Sequence, residues 1–276
     1  MDTQLFHIFR NTPTGRETYF QSLYFCNMMG STPVVYIPSH TKFLMYFDDD
    51  VVQVDLDESY LTSPCTAEEH ARTLAEGKGL TPGFFTPKNF TASTLPDIPV
   101  DFDFMCCPRS ISDKTGKIGL GHIGSRVRRI IQNAQFPVLV TSPSFRKWKS
   151  ITIFFGGSKN AVNALSLGLR VARKAGMKVR LFTQVEGDKT RKDYETIIEE
   201  AGLTESLKAH MEDWLFFFGG KFEENLYEVP HNSLVILGAY GHGLIRDILF
   251  GSKMETIQSV LPNNLMVVGP HYTDRG

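Results

Sequence analysis

The residue types most able to do chemistry cluster in one run, Gly238-Ala-Tyr-Gly-His-Gly-Leu-Ile-Arg-Asp-Ile-Leu-Phe-Gly-Ser252. Glycines lack a Cβ, so backbone N–H groups can close on an anion, and a helix that follows adds a favourable dipole. The spacing is Gly-x2-Gly-x9-Gly-Ser, from Gly238 and Gly241 to Gly251 and Ser252, with Gly243 between them. Ser252 suits a helix N-cap, and its hydroxyl could equally serve a phosphate oxygen. Glycines in such a run also serve simply to turn the chain and cap helices. Tyr240 and His242 lie in the same run, but no carboxylate at fixed spacing marks His242 as an acid–base catalyst.

A second glycine pattern, Gly119-Leu-Gly121-His-Ile-Gly124, matches the dinucleotide fingerprint GxGxxG. That fingerprint needs a buried strand before it and an acid about 20 residues later. Ser112–Lys117 is too polar for a central strand, and Val138-Leu-Val-Thr-Ser142 ends without Asp or Glu. An NAD(P)-dependent oxidoreductase is therefore the less favoured reading of the chain. Ser144-Phe-Arg-Lys147 fits SxxK but lies in a connector, and no GxSxG, HExxH or complete Walker A motif occurs. Cys106 and Cys107 end an apolar run where buried thiols are common packing residues. No catalytic residue and no metal ligand set is expected.

The elements that must position the glycine run follow from the hydrophobic pattern. In the second half, Ile151–Phe155 reads as a buried strand and Gly156-Gly157-Ser158 as a turn. A helix follows from Asn160 to Ala175, with Val162, Leu165, Leu169 and Ala172 at helical spacing and Gly176 as C-cap. Val179–Thr183 is a strand, Lys189–Ala201 a helix stopped by Gly202, and Trp214–Phe218 a strand. Phe222–Val229 is a short helix closed by Pro230. Leu234–Leu237 is a strand, Lys253–Val260 a helix, and Leu265–Val268 the last strand. Strand and helix alternate, which predicts a parallel sheet covered on both faces.

The chain repeats itself. Gly124-Ser125 matches Gly251-Ser252, and Val138–Val140 matches Leu265–Val267, both at an offset of 127. Leu5–Phe9 matches Ile151–Phe155 at an offset near 146, so the first half is longer by about twenty residues. Two β-rich runs around Asp48-Asp-Asp50 supply an inserted hairpin near 42–57. The expected domains are 1–143 and 148–276, joined by a short polar connector. Aligning Phe104–Cys107 with Leu234–Leu237 puts Pro108 and Ile111 where Gly238 and Gly241 lie. Proline has no N–H to offer, so the loop of the first half is degenerate.

The spacing Gly-x2-Gly-x9-Gly-Ser between a Val-Ile-Leu strand and a final helix–strand pair resembles the ATP-binding signature of the universal stress protein family. The resemblance covers both halves, as in tandem UspA-like proteins. It implies two Rossmann-like domains of flavodoxin type, like adenine nucleotide alpha hydrolases, each with a five-stranded parallel sheet. It also implies an adenine nucleotide held by the second domain: ATP, with Mg as its companion and nothing covalently bound. By position, Gly238, Gly241, Gly243, Gly251, Ser252 and the amide of Lys253 become the candidate contacts. Gly156 and Ser158 join them at the end of that half's first strand. Family members carry an aspartate there, and Gly156 stands in its place. Tyr240 and His242 are secondary candidates, as are Asn11, Gly124 and Ser125 in the first half, where Asn11 could stand in for the acid. The resemblance further implies a pseudo-dimer of the two domains through their final strands, with a homodimer as an extension.

Composition bounds the remaining choices. The chain has 276 residues, 42% hydrophobic and 21% charged, which is globular composition. Its net charge of −1 argues against a protein that coats nucleic acid or anionic membrane. Residues 109–149 hold nine Lys/Arg and one Asp; this segment reads as a solvated helix face and connector, with the Asp48–Asp50 tip as counter-charge. No apolar run approaches the roughly 18 residues of a membrane span. Four cysteines without a CxxC pair suit a reducing cytoplasm. The expectation is a nucleotide-dependent stress-response regulator with unidentified protein partners. The contrasting expectation is a scaffold that binds no nucleotide.

Overall fold

The computed structural model describes residues 3–61, 63–87, 95–111, 123–185, 187–239 and 261–273. Those up to Lys147 form one compact unit and those from Trp148 a second.

The first unit runs β1 (Gln4–Ile8), α1 (Pro13–Met29), β2 (Thr32–Tyr36), β3 (Lys42–Tyr46) and β4 (Val51–Asp55). A 3-10 turn at Glu58–Leu61 leads to α2 (Pro64–Glu76), β5 (Gly83–Phe85), β6 (Asp97–Ile98), β7 (Phe104–Pro108), α3 (Ser125–Asn133) and β8 (Val138–Thr141). Its main sheet is parallel throughout, in the order β5-β2-β1-β7-β8. The inserted hairpin is real: β3 and β4 pair antiparallel, and β6 joins β3 in a small separate sheet.

The second unit runs β9 (Ser150–Phe154), α4 (Lys159–Ala175), β10 (Val179–Gln184), α5 (Arg191–Glu200), α6 (Thr204–His210) and β11 (Met211–Phe217). A helical turn α7 (Phe222–Asn225), β12 (Ser233–Gly238) and β13 (Leu265–Val268) follow. The sheet is again parallel, ordered β11-β10-β9-β12-β13. Every residue of β12 and β13 is buried, as strands covered on both faces must be. In both units the first strand lies beside the fourth long strand of its sheet, so the winding switches there. Ligands of open parallel sheets sit beyond the carboxyl ends of the strands at that switch.

Helices of equal length mark the correspondence between the two copies. Helices α1 and α4 each have 17 residues, follow the N-caps Thr12 and Ser158, and end at the left-handed C-caps Gly30 and Gly176. Both caps accept from the amide three residues on, Gly15 and Ala161. The offset of 146 therefore holds from strand through helix.

Two sequence expectations are revised, and one helix is added. The segment after Gly202 forms a further helix, α6, so β11 begins at Met211 rather than Trp214. The expected helix over 222–229 divides, its last turn tightening into a 3-10 turn at Leu226–Glu228. Helix α2 escaped the sequence reading, although Ala67, Ala71 and Ala75, all buried, mark its inner face at i, i+4 spacing. The helix expected over 253–260 lies outside the described residues.

Candidate functional site

At the switch point of the second unit, β9 hands over to Phe155 and then to Gly156, which is half-buried. Gly157 takes φ +75°, and a Cβ there would come within 3.0 Å of Ile197 and 3.4 Å of Tyr194. A side chain would be strained by both conformation and space, so the turn needs glycine. Ser158 then caps α4, its hydroxyl accepting from the Ala161 amide at 3.2 Å.

The neighbouring strand β12 closes against this turn. A Cβ on Gly238 would lie 2.4 Å from the backbone carbon and oxygen of Asn160 and 2.9 Å from the Ala161 nitrogen. Backbone cannot yield as a flexible side chain can, so Gly238 is required by the crossing of strand and helix. The next residue is held from two sides. The Ala239 amide donates to the Val268 carbonyl at 2.7 Å, and its carbonyl accepts from Asn160 Nδ2 at 2.6 Å. Asn160 is only 8% exposed. Sequence reasoning missed it, because a polar residue in the first turn of a helix looks ordinary.

A second buried relay holds the end of β9. Trp214 Nε1 donates to Thr183 Oγ1 at 3.0 Å, and Thr183 Oγ1 donates to the Phe155 carbonyl at 2.9 Å. The chain segments 155–160 and 238–239 carry a single charged side chain, Lys159. With the first amides of α4 beside them, these strand ends suit an anion. The other loop candidates, Tyr240, Gly241, His242, Gly243, Gly251, Ser252 and Lys253, lie outside the described residues, as do Gly119 and Gly121.

The first unit fills the equivalent place with side chains. Register puts Arg10, not Asn11, opposite Gly156. Arg10 Nε donates to Ser59 Oγ at 2.5 Å, its guanidinium pairs with Asp57 at 3.3 Å, and it lies 5.2 Å from the centroid of the Tyr60 ring. Asn11 Oδ1 is engaged by His70 Nδ1 at 2.8 Å and by Arg16 at 3.4 Å. At the end of β7, Pro108 is followed by Arg109, a buried guanidinium whose pKa burial lowers to about 10. Gly124 precedes α3, with Ser125 as the first helical residue. The Gly124 amide donates to the Arg109 carbonyl at 2.7 Å, and a Cβ on Gly124 would meet Ser110 Oγ at 2.9 Å.

The basic segment is partly neutralised by the hairpin. Arg129 makes paired bonds to Asp50 at 3.0 Å, and Arg126 bonds Asp55 at 2.6 Å. Asn133 adds a contact to Asp50, and Gln135 bonds Asp48. The connector is also docked rather than free: the amides of Phe145 and Arg146 donate to Glu17 and Gln21 on α1. Among the described residues, no cluster of three potential metal ligands occurs, and no helix is long and apolar enough to cross a membrane.

Two copies of one parallel α/β unit define a tandem Rossmann-like fold. No protein-family model matches the chain. A curated relative, the universal stress protein Slr1230 of Synechocystis, is 26% identical over 180 residues, covering 61% of this chain and 58% of that protein. A universal stress protein of Archaeoglobus fulgidus has the same fold end to end, with a TM-score of 0.62 at 15% identity over 99% of this chain and 97% of its own. A universal stress protein solved in complex with cAMP aligns with 44% of this chain and 97% of its own, at 18% identity and a TM-score of 0.32. Sequence relative and fold together support a universal stress protein, UspA-like, family for this chain.

Proposed function

We propose that the second half binds an adenine nucleotide, ATP foremost, on the run from Gly238 to Lys253, and that the chain is a cytoplasmic stress-response regulator responding to that nucleotide. The observation that carries this reading is the crossing at the switch point. There Gly238 lies against the backbone of Asn160 at the start of α4, and the Gly-x2-Gly-x9-Gly-Ser run departs from that contact. An anion reaching this place would meet backbone amides and a helix N-terminus, with Lys159 as the only charged side chain on the two strand ends. No carboxylate stands on those ends to hold Mg, so Mg would arrive on the phosphates. With Gly156 in the place of an acid, the base or ribose gives up one hydrogen bond, about tenfold in affinity.

The test is calorimetric titration of the purified chain with ATP and other adenine nucleotides. Saturable binding is expected, abolished by Gly241→Val. Absence of binding to any adenine nucleotide at millimolar concentration would overturn the reading in favour of a scaffold. NADPH binding lost on Gly121→Val would favour the oxidoreductase instead.

A further inference from the structure

The first half buries a polar network at positions where the second half is apolar. His7, in the central strand β1, is 1% exposed, and its Nδ1 lies 2.8 Å from Ser22 Oγ on α1. The Ser22 hydroxyl also reaches the Thr18 carbonyl at 3.5 Å. Cys106, opposite His7 on β7, approaches that carbonyl with its Sγ at 4.0 Å, and Thr141 Oγ1 on β8 donates to Thr18 Oγ1 at 3.4 Å. At the offset of 146, His7, Thr18 and Ser22 correspond to Ile153, Ala164 and Gly168. By strand alignment, Cys106 and Thr141 correspond to Ile236 and Val268. The exchange is a paired one. A Cβ on Gly168 would lie 2.3 Å from Ile153 Cδ1 and 3.5 Å from Ile236 Cδ1, so glycine makes room for isoleucine where serine meets histidine in the other copy. The fold alone therefore does not call for a histidine in the central strand, since the second sheet closes on isoleucine.

We infer that His7 and Ser22 form an acid-sensitive latch on helix α1: a proton taken up by the imidazole loosens α1 from the first sheet and unseats the 143–147 segment docked on it, while α4 in the second half keeps its place. The neutral ring can share one hydrogen with the Ser22 hydroxyl, but the imidazolium must donate from both nitrogens and brings a full charge. The titratable groups packed about it, Tyr19 and Cys26 on α1 and Cys106 on β7, are kept neutral by burial. Among the described residues no charged group pairs with the ring, and a buried charge without a partner is costly. Burial accordingly lowers the His7 pKa to about 3, opposed by a hydrogen bond to the Cys106 backbone. Strand β1 is bonded to β2 on one side and β7 on the other, whereas α1 meets the sheet through side chains, so α1 is the element able to lift. Its Glu17 and Gln21 hold the amides of Phe145 and Arg146, and its Phe20 and Tyr24 pack against the Phe145 ring, so that segment leaves with it. Because the folded pKa is depressed, the latch is closed above pH 6.5 and opens as pH falls below it. If the lifted helix returns the ring to its ordinary pKa, opening becomes about twentyfold more favourable between about pH 7 and about pH 5.

The second half supplies both the control and the replacement parts. Helix α4 has the same 17 residues and the same capping as α1 but lies over Ile153 and Gly168. The experiment is amide hydrogen exchange of the full-length chain at about pH 7 and about pH 5, corrected for intrinsic exchange, with α4 as the internal reference. In the wild type, α1 should lose about twentyfold in protection relative to α4 at the lower pH, and the amides of 143–147 should lose theirs with it. The double variant His7→Ile/Ser22→Gly installs the pair of the second half and should make α1 and α4 respond alike. His7→Leu, which removes the titrating ring and keeps Ser22, should do the same and decides the matter should the double variant not fold. Equal responses of α1 and α4 in the wild type would overturn the inference. So would an acid loss at α1 that persists in the folded double variant or in His7→Leu. Loss at α1 with 143–147 still protected would overturn the coupling to that segment.

Discussion

At the carboxyl end of its first strand, one half of this protein carries Arg10 and the other Gly156; at the neighbouring strand end, one carries Pro108 and Arg109 and the other Gly238 and Ala239. The strands that lead into these positions are paired alike. Phe9 and Phe155 donate to the counterpart carbonyls of Tyr36 and Phe182 at 2.9 Å in both copies. What differs is what fills the switch point. In the first half, Arg10 is tied to Asp57, Ser59 and Tyr60, residues that follow the inserted hairpin. In the second half the described residues at these positions are small: Gly156, Gly238 and Ala239. A duplicated fold can keep its strand order while the residues at its strand ends diverge, charged in one copy and small in the other.

The largest expected separation of the halves comes with acid. His7 lies in the central strand of the first sheet, where the second has Ile153, and bonds Ser22 Oγ at 2.8 Å. Burial lowers its pKa from 6.5 to about 3. The folded value is depressed, so the neutral imidazole is favoured in the fold. Its stability is fully present above pH 6.5 and is lost as pH falls through the window down to about 3. Linkage over that window gives about 3 kcal/mol of destabilisation between pH 7 and pH 4. Chemical denaturation at the two pH values should show this loss in the wild type and a smaller one in His7→Leu. An equal pH dependence in both would break the assignment.

Next in size are the glycine crossings. Gly238→Ala forces a Cβ against the backbone of Asn160, and Gly15→Ala forces one to 2.0 Å from the Arg10 carbonyl oxygen. Overpacking of this kind costs about 2 kcal/mol. Both variants should lower the denaturation midpoint, but only Gly238→Ala should weaken ATP in folded protein. If Gly15→Ala weakens ATP as strongly, the functional contrast between the halves is wrong.

The smallest effect concerns the basic segment. Arg129 and Asp50 are both partly exposed and form a bidentate pair. Arg129→Ala should cost about 0.5 kcal/mol, less at high salt, and leave ATP binding unchanged. A loss of ATP affinity in that variant would place the segment in the site.

How far the sequence could be read depended on whether a feature was local. Helix α4 was legible in its spacing and in Gly176, since capping and periodicity act over a few residues. The last strand, Leu265–Val268, was legible because it is buried on both faces and wholly apolar. The repeat set out the two halves, and the acids at 48–50 pointed to the basic helix that they meet. Asn160 was not legible, because its partner is a backbone carbonyl 79 residues away, and carbonyls leave no mark in composition. Arg10 was overlooked because its side-chain partners are distant in sequence, Ser59 lying 49 residues away. Its role appears only when the hairpin connection brings Asp57 and Ser59 beside it.

The central claim is that the second half alone holds the nucleotide, and the stoichiometry of ATP binding to the full-length wild type tests it most directly. Calorimetry should give one ATP per chain. Two per chain would mean that the first half binds despite Arg10 and Arg109, and none would mean that neither half is a nucleotide site.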